Sequence, residues 1–357
     1  MLGAGPLDWL SGAVRRSFAT KLNGAFTVAV AATVVAVALP LARWALLDAT
    51  WTGTAEDCRA ASGACWAFIG HKLSFIVFGL YPRAEQWRPA VALTALVGLI
   101  VMMALPRSWN RWLPIWWMGG VGIASALMHG VGSLPVVPTQ AWGGLPVTVL
   151  LTAVGLSGGF PLAVLLALGR RSRYPIPRML ATTLVEVVRG VPLIAVLYLA
   201  VLIFPLALPP TLTPDKLLLV LAAVTVFAAA YLAEAVRSGL QMVPPGRMDA
   251  ASALGLRWWQ AQREVILPEA LRIVIPSFIS IAVGFFQDTS LIVIVGLFDL
   301  LNTARLAAQD PTWLGFSTEA FVFVGAIYFS GSALLSRYGL WLERRMRPAP
   351  HPGPEVR

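Results

Sequence analysis

The sequence predicts an all-α integral membrane protein with about eight transmembrane helices, and three observations carry that prediction. Of the 357 residues, 58% are hydrophobic and only 12% are charged, about half the charge that a water-facing globule needs to cover itself. The apolar residues come in blocks close to the roughly 20 residues that a helix needs to cross hydrocarbon. The basic residues gather in short clusters on alternate connections between those blocks, as they do where helix ends are anchored on the cytoplasmic side.

The first block runs from Ala25 to about Leu47, after a short stretch with Arg15, Arg16 and Lys21. It is too long for a signal-peptide core and lacks a small-residue cleavage site, so it reads as a retained span. Seven further spans are expected at about 89–105, 113–130, 146–168, 181–205, 216–236, 274–297 and 317–341. The segments with Arg107/Arg111, Arg170/Arg171/Arg173/Arg178, Arg247/Arg257/Arg263 and Arg344/Arg345/Arg347 then share one side with Arg15/Arg16. Sparser cations (Arg59, Lys72, Arg83, Lys216, Arg305) fall on the other. This asymmetry places both termini in the cytoplasm.

Two connections exceed simple turns. The outward segment of about 49–88 holds Cys58 and Cys65 in a small-residue loop, then the apolar stretch Trp66–Tyr81 with His71 and Lys72 in its middle. That stretch is short for a span, and an interfacial or re-entrant helix preserves the charge asymmetry; a true crossing would make nine spans and move one terminus. The cysteines face an oxidising compartment in this topology, which permits a disulfide; two free thiols are the alternative. The inward segment of about 238–273 is far longer than the 2–8 residues that usually join neighbouring helices. Pro244-Pro245-Gly246 ends one helix and opens another, Gly255 breaks that one, and an amphipathic stretch from Arg257 is expected to end at Pro268.

Several functions are excluded by what the sequence lacks. The net charge of +10 lies at helix ends, which suits membrane anchoring and not a nucleic-acid groove. None of the three lysines (Lys21, Lys72, Lys216) follows a glycine, so no GxxxxGK[ST] phosphate loop exists, and ATP hydrolysis must come from another polypeptide. His71, His129 and His351 are far apart and form no metal-ligating cluster. No Ser/His/Asp or paired-carboxylate arrangement suggests catalysis.

Asp249-Ala250-Ala251, three residues, Gly255, nine residues and Val265-Ile266-Leu267-Pro268 resemble the EAA signature of ABC-type importer permeases, with Asp for the leading Glu and Val for the first Ile. Glu186-Val187-Val188-Arg189-Gly190-Val191-Pro192 is similar to the E-x-x-RG-x-P element of the polar amino-acid branch. Tyr231-Leu232-Ala233-Glu234 resembles its GAYxAE stretch, with Ala229 in place of Gly, and Gln287-Asp288-Thr289-Ser290-Leu291 its KDTSL. The resemblance covers about 142–345. The N-terminal spans, with Gly296 to Leu301, look like the longer permeases of general L-amino-acid importers.

The resemblance implies a domain plan: an N-terminal extension of three spans (1–141), a five-helix permease core (142–345) with a coupling segment at about 244–268, and a tail (346–357) whose prolines suggest disorder. It also implies partners: a dimer of ATP-binding subunits that hold ATP and Mg, a second related permease (a different chain, or a copy of this one), a periplasmic substrate-binding protein and an L-amino acid. The chain itself needs no cofactor. Asp249, Ala250, Ala251, Gly255, Leu267 and Pro268 are the candidate ATPase-coupling residues; small alanines allow close approach, and Asp249 suits a helix start.

Ionisable residues within spans are costly and face a bundle interior or water. Asp288, with Thr289 and Ser290, is therefore a candidate for the amino-acid path or for a structural cluster between helices. Gly190 and Pro192 are candidates for interrupted backbone along that path. Glu186 with Arg189, and Glu234 with Arg237, are spaced three apart and read as structural or gating pairs. An ion-driven secondary transporter and a membrane-embedded enzyme are the rival classes; the first needs no folded cytoplasmic segment, the second needs a catalytic constellation.

Overall fold

The computed structural model describes residues 17–108 and 110–346; Arg15, Arg16, Arg347 and the tail beyond Met346 lie outside the described residues. The chain is an all-α integral membrane protein, and its strand content among the described residues is limited to parallel bridges of Thr50 with Cys65 and of Gly143 and Gly144 with Phe298 and Asp299. In order the helices are α1 (Lys21–Ala42), α2 (Ala55–Ala60), α3 (Trp66–Phe78), α4 (Trp87–Ala104), α5 (Leu113–His129), α6 (Gly144–Arg170), α7 (Pro175–Gly190) and α8 (Leu193–Tyr198). There follow α9 (Lys216–Met242), α10 (Gly246–Ala253), α11 (Trp258–Ala261), α12 (Leu267–Ile273), α13 (Ile275–Asp288), α14 (Leu300–Ala307) and α15 (Ser317–Met346).

Among the described residues, six helical segments are long and apolar enough to cross a membrane: Lys21–Leu47, Trp87–Ala104, Gly144–Arg170, Lys216–Met242, Ile275–Val295 and Ser317–Met346. The single span expected over 181–205 is instead two helices bent by 110°. Pro192 is the cause: it disfavours helical backbone at the residue before it, and Val191 is extended at φ −113°, ψ 136°. If the bent pair forms one span, the number is seven. The remaining expected span is α5, whose 17 residues reach about 26 Å, a little less than the roughly 30 Å hydrocarbon thickness.

Two compact units are distinguishable: residues up to His71 with Pro311–Glu319, and Lys72–Asp310 with the residues from Ala320 onward. In the first, α1 buries none of its residues, as a helix surrounded by lipid would. Cys58 and Cys65 are disulfide-bonded with Cα atoms 5.4 Å apart. Thr54 caps α2, and its backbone N–H, then its hydroxyl, hold the Asp57 carboxyl below the ordinary carboxylate range. The buried Glu319 accepts a hydrogen bond from the Cys65 N–H at 3.0 Å, and Arg59 donates to the Thr312 carbonyl at 2.8 Å. Phe68 packs on Trp313 and Phe316. The 13-residue α3 spans about 20 Å, too short to cross.

The second unit is built around α6 against α9. In a membrane, helices attract one another by close packing and polar contacts, with little help from the hydrophobic effect, so small residues mark their interfaces. A Cβ at Gly159 would lie 3.0 Å from the Ala229 backbone nitrogen and 3.1 Å from the Ala228 Cβ. One at Gly155 would lie 2.6 Å from the Phe285 ring. The stretch of α9 that meets them is rich in small buried residues, Ala228, Ala229, Ala230 and Ala233. Val185, Leu193, Leu197 and Ile292 join the same core.

At the basic end of this pair, Glu234 of α9 collects three guanidinium groups. Arg170 donates to it at 2.8 Å, Arg189 approaches at 3.3 Å, and Arg237, one turn on, is in closer contact still. Arg170 also reaches Glu186 at 2.6 Å. The Glu234–Arg237 pair is as expected. The Glu186–Arg189 pair is not: Arg170 of α6 engages Glu186, and Glu234 of α9 engages Arg189, so each finds its partner on another helix. Arg189 is directed to α9, where it also lies 5.7 Å from the Tyr231 ring, while Glu186 is directed to α6. The network joins α6, α7 and α9. Replacing Glu234 by Gln leaves three cations without their shared anion, and we expect a loss of about 2 kcal/mol, read as a lower melting temperature of the purified chain. An unchanged melting temperature would contradict this role.

Candidate functional site

The segment after α9 begins at Pro244-Pro245 and forms α10 at once. Met248 and Ala251 face inward: Met248 packs against a buried cluster that includes Leu240, Val243, Ile266 and Ala270, and Ala251 is 3% exposed. Asp249 and Ala250 lie on the outer side and are exposed, as is Leu254. Asp249 sits in the first turn, where a helix dipole favours negative charge, and no described residue offers its carboxylate a hydrogen bond or ion pair. Arg247 fixes the helix start through Glu269 at 3.2 Å. The helix closes with Leu254 N–H to Ala250 O at 3.1 Å and Leu256 N–H to Ala251 O at 3.1 Å. Between them Gly255 adopts φ +78°, a left-handed conformation that strains any residue with a Cβ.

The return to the bundle differs from expectation. Pro268 does not end a helix: α11 widens into a π turn at Gln262–Ile266 and continues into α12, with Leu267 and Pro268 in the first turn. A proline is tolerated there because its missing N–H falls where no intrahelical bond is needed. Trp258 and Trp259 stay exposed, edge to face at 4.4 Å. A Cβ at Gly239 would lie 2.6 Å from the Ala270 carbonyl oxygen, so α12 rests directly on the backbone of α9.

The other candidates lie within the bundle. Asp288 ends α13, where the chain tightens into a 3-10 turn, Thr289–Val295. It is partly exposed, and no described residue offers its carboxylate a hydrogen bond or ion pair. Thr289 is 3% exposed and donates to the Phe286 carbonyl at 2.8 Å. Ser290 is held through its carbonyl, which accepts from the Asn302 side chain at 2.9 Å. Gly190 and Pro192 bracket the bend between α7 and α8. That leaves Val191 outside either helix, and the Pro192 carbonyl opens α8 by accepting from Ala195 N–H at 2.9 Å. Glu186, Arg189, Glu234 and Arg237 belong to the charge network at the basic end.

Two features were not anticipated. Arg170, read as one of a cluster of anchoring cations, is the bridge between Glu186 and Glu234. Asp299, quoted only as part of a stretch, is completely buried. Its carboxylate caps α14, accepting from the Leu301 and Asn302 backbone N–H groups at 3.1 Å each and from the Tyr328 hydroxyl at 2.8 Å. An Asp immediately before a helix-forming run is an N-cap signal, so this role was readable.

Comparison with known proteins adds to this geometry. Residues 159–348 match the family described as binding-protein-dependent transport system inner membrane component. The chain is 43% identical over 314 residues to the inner membrane amino-acid ABC transporter permease protein YhdY of Escherichia coli K12, covering 86% of this chain and 84% of that one. It is 34% identical to the glutamate/glutamine/aspartate/asparagine transport system permease protein BztC of Rhodobacter capsulatus, over 96% of this chain and 94% of that one. The crystal structure of an amino acid ABC transporter with histidines matches at a TM-score of 0.50 and 27% identity, covering 57% of this chain and 92% of that chain. With its apolar helices, this makes the protein a multi-pass component of the inner membrane. The chain belongs to the family of binding-protein-dependent transport system inner membrane components.

Proposed function

We propose that this chain is the transmembrane permease subunit of an ATP-driven importer of L-amino acids, polar or of broad range, and that α10 couples it to a separate ATPase. The observation that carries the coupling is the two-sidedness of α10: Ala251 and Met248 are seated in the chain, while Asp249 and Ala250 are presented outward. Alanine at the outer face lets a partner surface approach the helix backbone, and the free Asp249 supplies a charge for that partner to meet. The names of YhdY and BztC, permeases of amino-acid transport systems, support the substrate class.

In this reading a periplasmic binding protein delivers the amino acid, and this chain with a second related permease encloses the path. ATP and Mg act on a dimer of ATP-binding subunits, and this chain is a transport subunit and not the ATPase. Both termini and α10 face the cytoplasm, and the disulfide loop faces the periplasm. Closure of the ATPase displaces α10. Because Met248 packs against the buried cluster that contains Ala167 of α6 and Val236 and Leu240 of α9, the displacement reaches α6 and α9 as a shift of packed helices. The core at 142–345 is the transporting part, and the N-terminal extension is additional to it.

Asp288, with Thr289 and Ser290 beside it, faces the path and meets the substrate ammonium. A carboxylate within a span that no described residue satisfies is expensive to keep, and a transient cationic ligand offsets that cost. The bend at Gly190–Pro192 lends backbone carbonyls to the same path.

Ala250→Arg places a bulky cation where the partner helix groove must close, and we expect transport to fall at least tenfold in vesicles holding the intact complex while ATPase activity persists. Unchanged uptake would contradict the coupling. Asp288→Asn is expected to raise the substrate concentration for half-maximal uptake about tenfold or more, with expression and assembly intact. Normal uptake of a full amino-acid panel would remove Asp288 from the path.

A further inference from the structure

Beside the charge network, α6, α7 and α9 border an open cavity of about 590 Å³ lined by Arg170, Arg171, Arg178, Arg237, Thr182 and Thr183, among others. No carboxylate lines it. Two of its cations are engaged by carboxylates at its margin: Arg170 by Glu186 and Glu234, and Arg237 by Glu234. Arg171 spends one nitrogen on the Leu240 carbonyl at 2.7 Å. Arg178 is exposed, and no described residue pairs with its side chain. Four guanidinium groups against two carboxylates leave an excess of positive charge facing the cavity, and two hydroxyls stand ready to donate.

The wall of this cavity continues into an exposed apolar surface. Helix α7 has three faces: Ala181, Val185 and Val188 are buried in the bundle, while Arg178 and Thr182 turn to the cavity. Ile176, Leu180, Leu184 and Val187 form a third, exposed apolar stripe. A ligand seated among the arginines therefore has an apolar surface running away from it along the helix. A free inorganic anion has no use for that surface, whereas a phospholipid needs a cationic seat for its phosphate and an apolar wall for its chains. Basic pockets between helices at the membrane surface take such headgroups, and guanidinium groups match phosphate oxygens in geometry.

We propose that this cavity is a binding site for an anionic glycerophospholipid, its phosphate held by Arg171 and Arg178 and its acyl chains lying along the exposed stripe of α7. The lipid would brace α7 against the network that joins it to α6 and α9. The site depends on the membrane setting alone and not on the coupling role of α10.

The test is native mass spectrometry of the purified full-length chain titrated with phosphatidylglycerol or with phosphatidylcholine. Wild type is expected to retain phosphatidylglycerol about tenfold more tightly than phosphatidylcholine. That preference should vanish both in the Arg171→Gln/Arg178→Gln double variant and in Thr183→Trp, which fills the cavity without changing charge; Arg178→Lys should keep most of it. Persistence of the preference in either the double variant or Thr183→Trp would overturn the proposal, as would displacement of the lipid by millimolar inorganic phosphate, which would mark a site for a free anion.

Discussion

The approach of α6 to α9 through glycine and alanine is the constraint from which the rest of the structure follows. At Gly159 the two helices are close enough that even a methyl group would press on the Ala229 backbone. In lipid this close fit is a main source of helix attraction, since neighbouring acyl chains are as apolar as the side chains they would replace. Overfilling such a contact typically costs 1–3 kcal/mol. Once the pair is set, Arg170 at the end of α6 stands beside Glu234 on α9, and the network can draw in Arg189 and Glu186 from α7. The same pair presents Ala167, Val236 and Leu240 as the bearing on which Ile266, Ala270 and Met248 rest.

Two aspartates show how differently one bundle can treat the same side chain. Asp299 is buried and surrounded by donors from α14 and Tyr328, so its charge is fully occupied in holding the helix start. Asp288 stands at the end of α13 with no described residue to satisfy it. The first arrangement builds structure; the second leaves capacity for something that arrives and departs. Thr289 and Ser290 lie between them, tied at one side to Phe286 and at the other to Asn302, so the orientation of the carboxylate at position 288 is not left to a loose turn.

Most of the spans were legible because a twenty-residue apolar block has few options other than a membrane helix. The bend at Val191–Pro192 was legible as a candidate interruption, since proline restricts its predecessor wherever it occurs, but its size was not. The pairing of Glu186 and Arg189 was misread because i,i+3 spacing describes an isolated helix. In the folded chain Arg170, far away in sequence, competes for Glu186, and Glu234 competes for Arg189. Pro268 was read as a stop because proline usually is one; the π turn before it, which lets the helix pass through, is set by packing on α9 that no local pattern announces. The two sides of α10 also needed the structure, since the four adjacent small residues Ala250 to Ala253 carry no periodicity of their own.

The central claim is that the outer face of α10 meets an ATP-binding subunit. Placing a photo-crosslinking amino acid at position 250 in the intact importer, purified with its partner subunits, tests it directly. A crosslink to the ATP-binding subunit from position 250, with none from the exposed position 184 on α7, is the predicted result. A residue at position 250 that reacts only with solvent or with this chain itself would contradict the account.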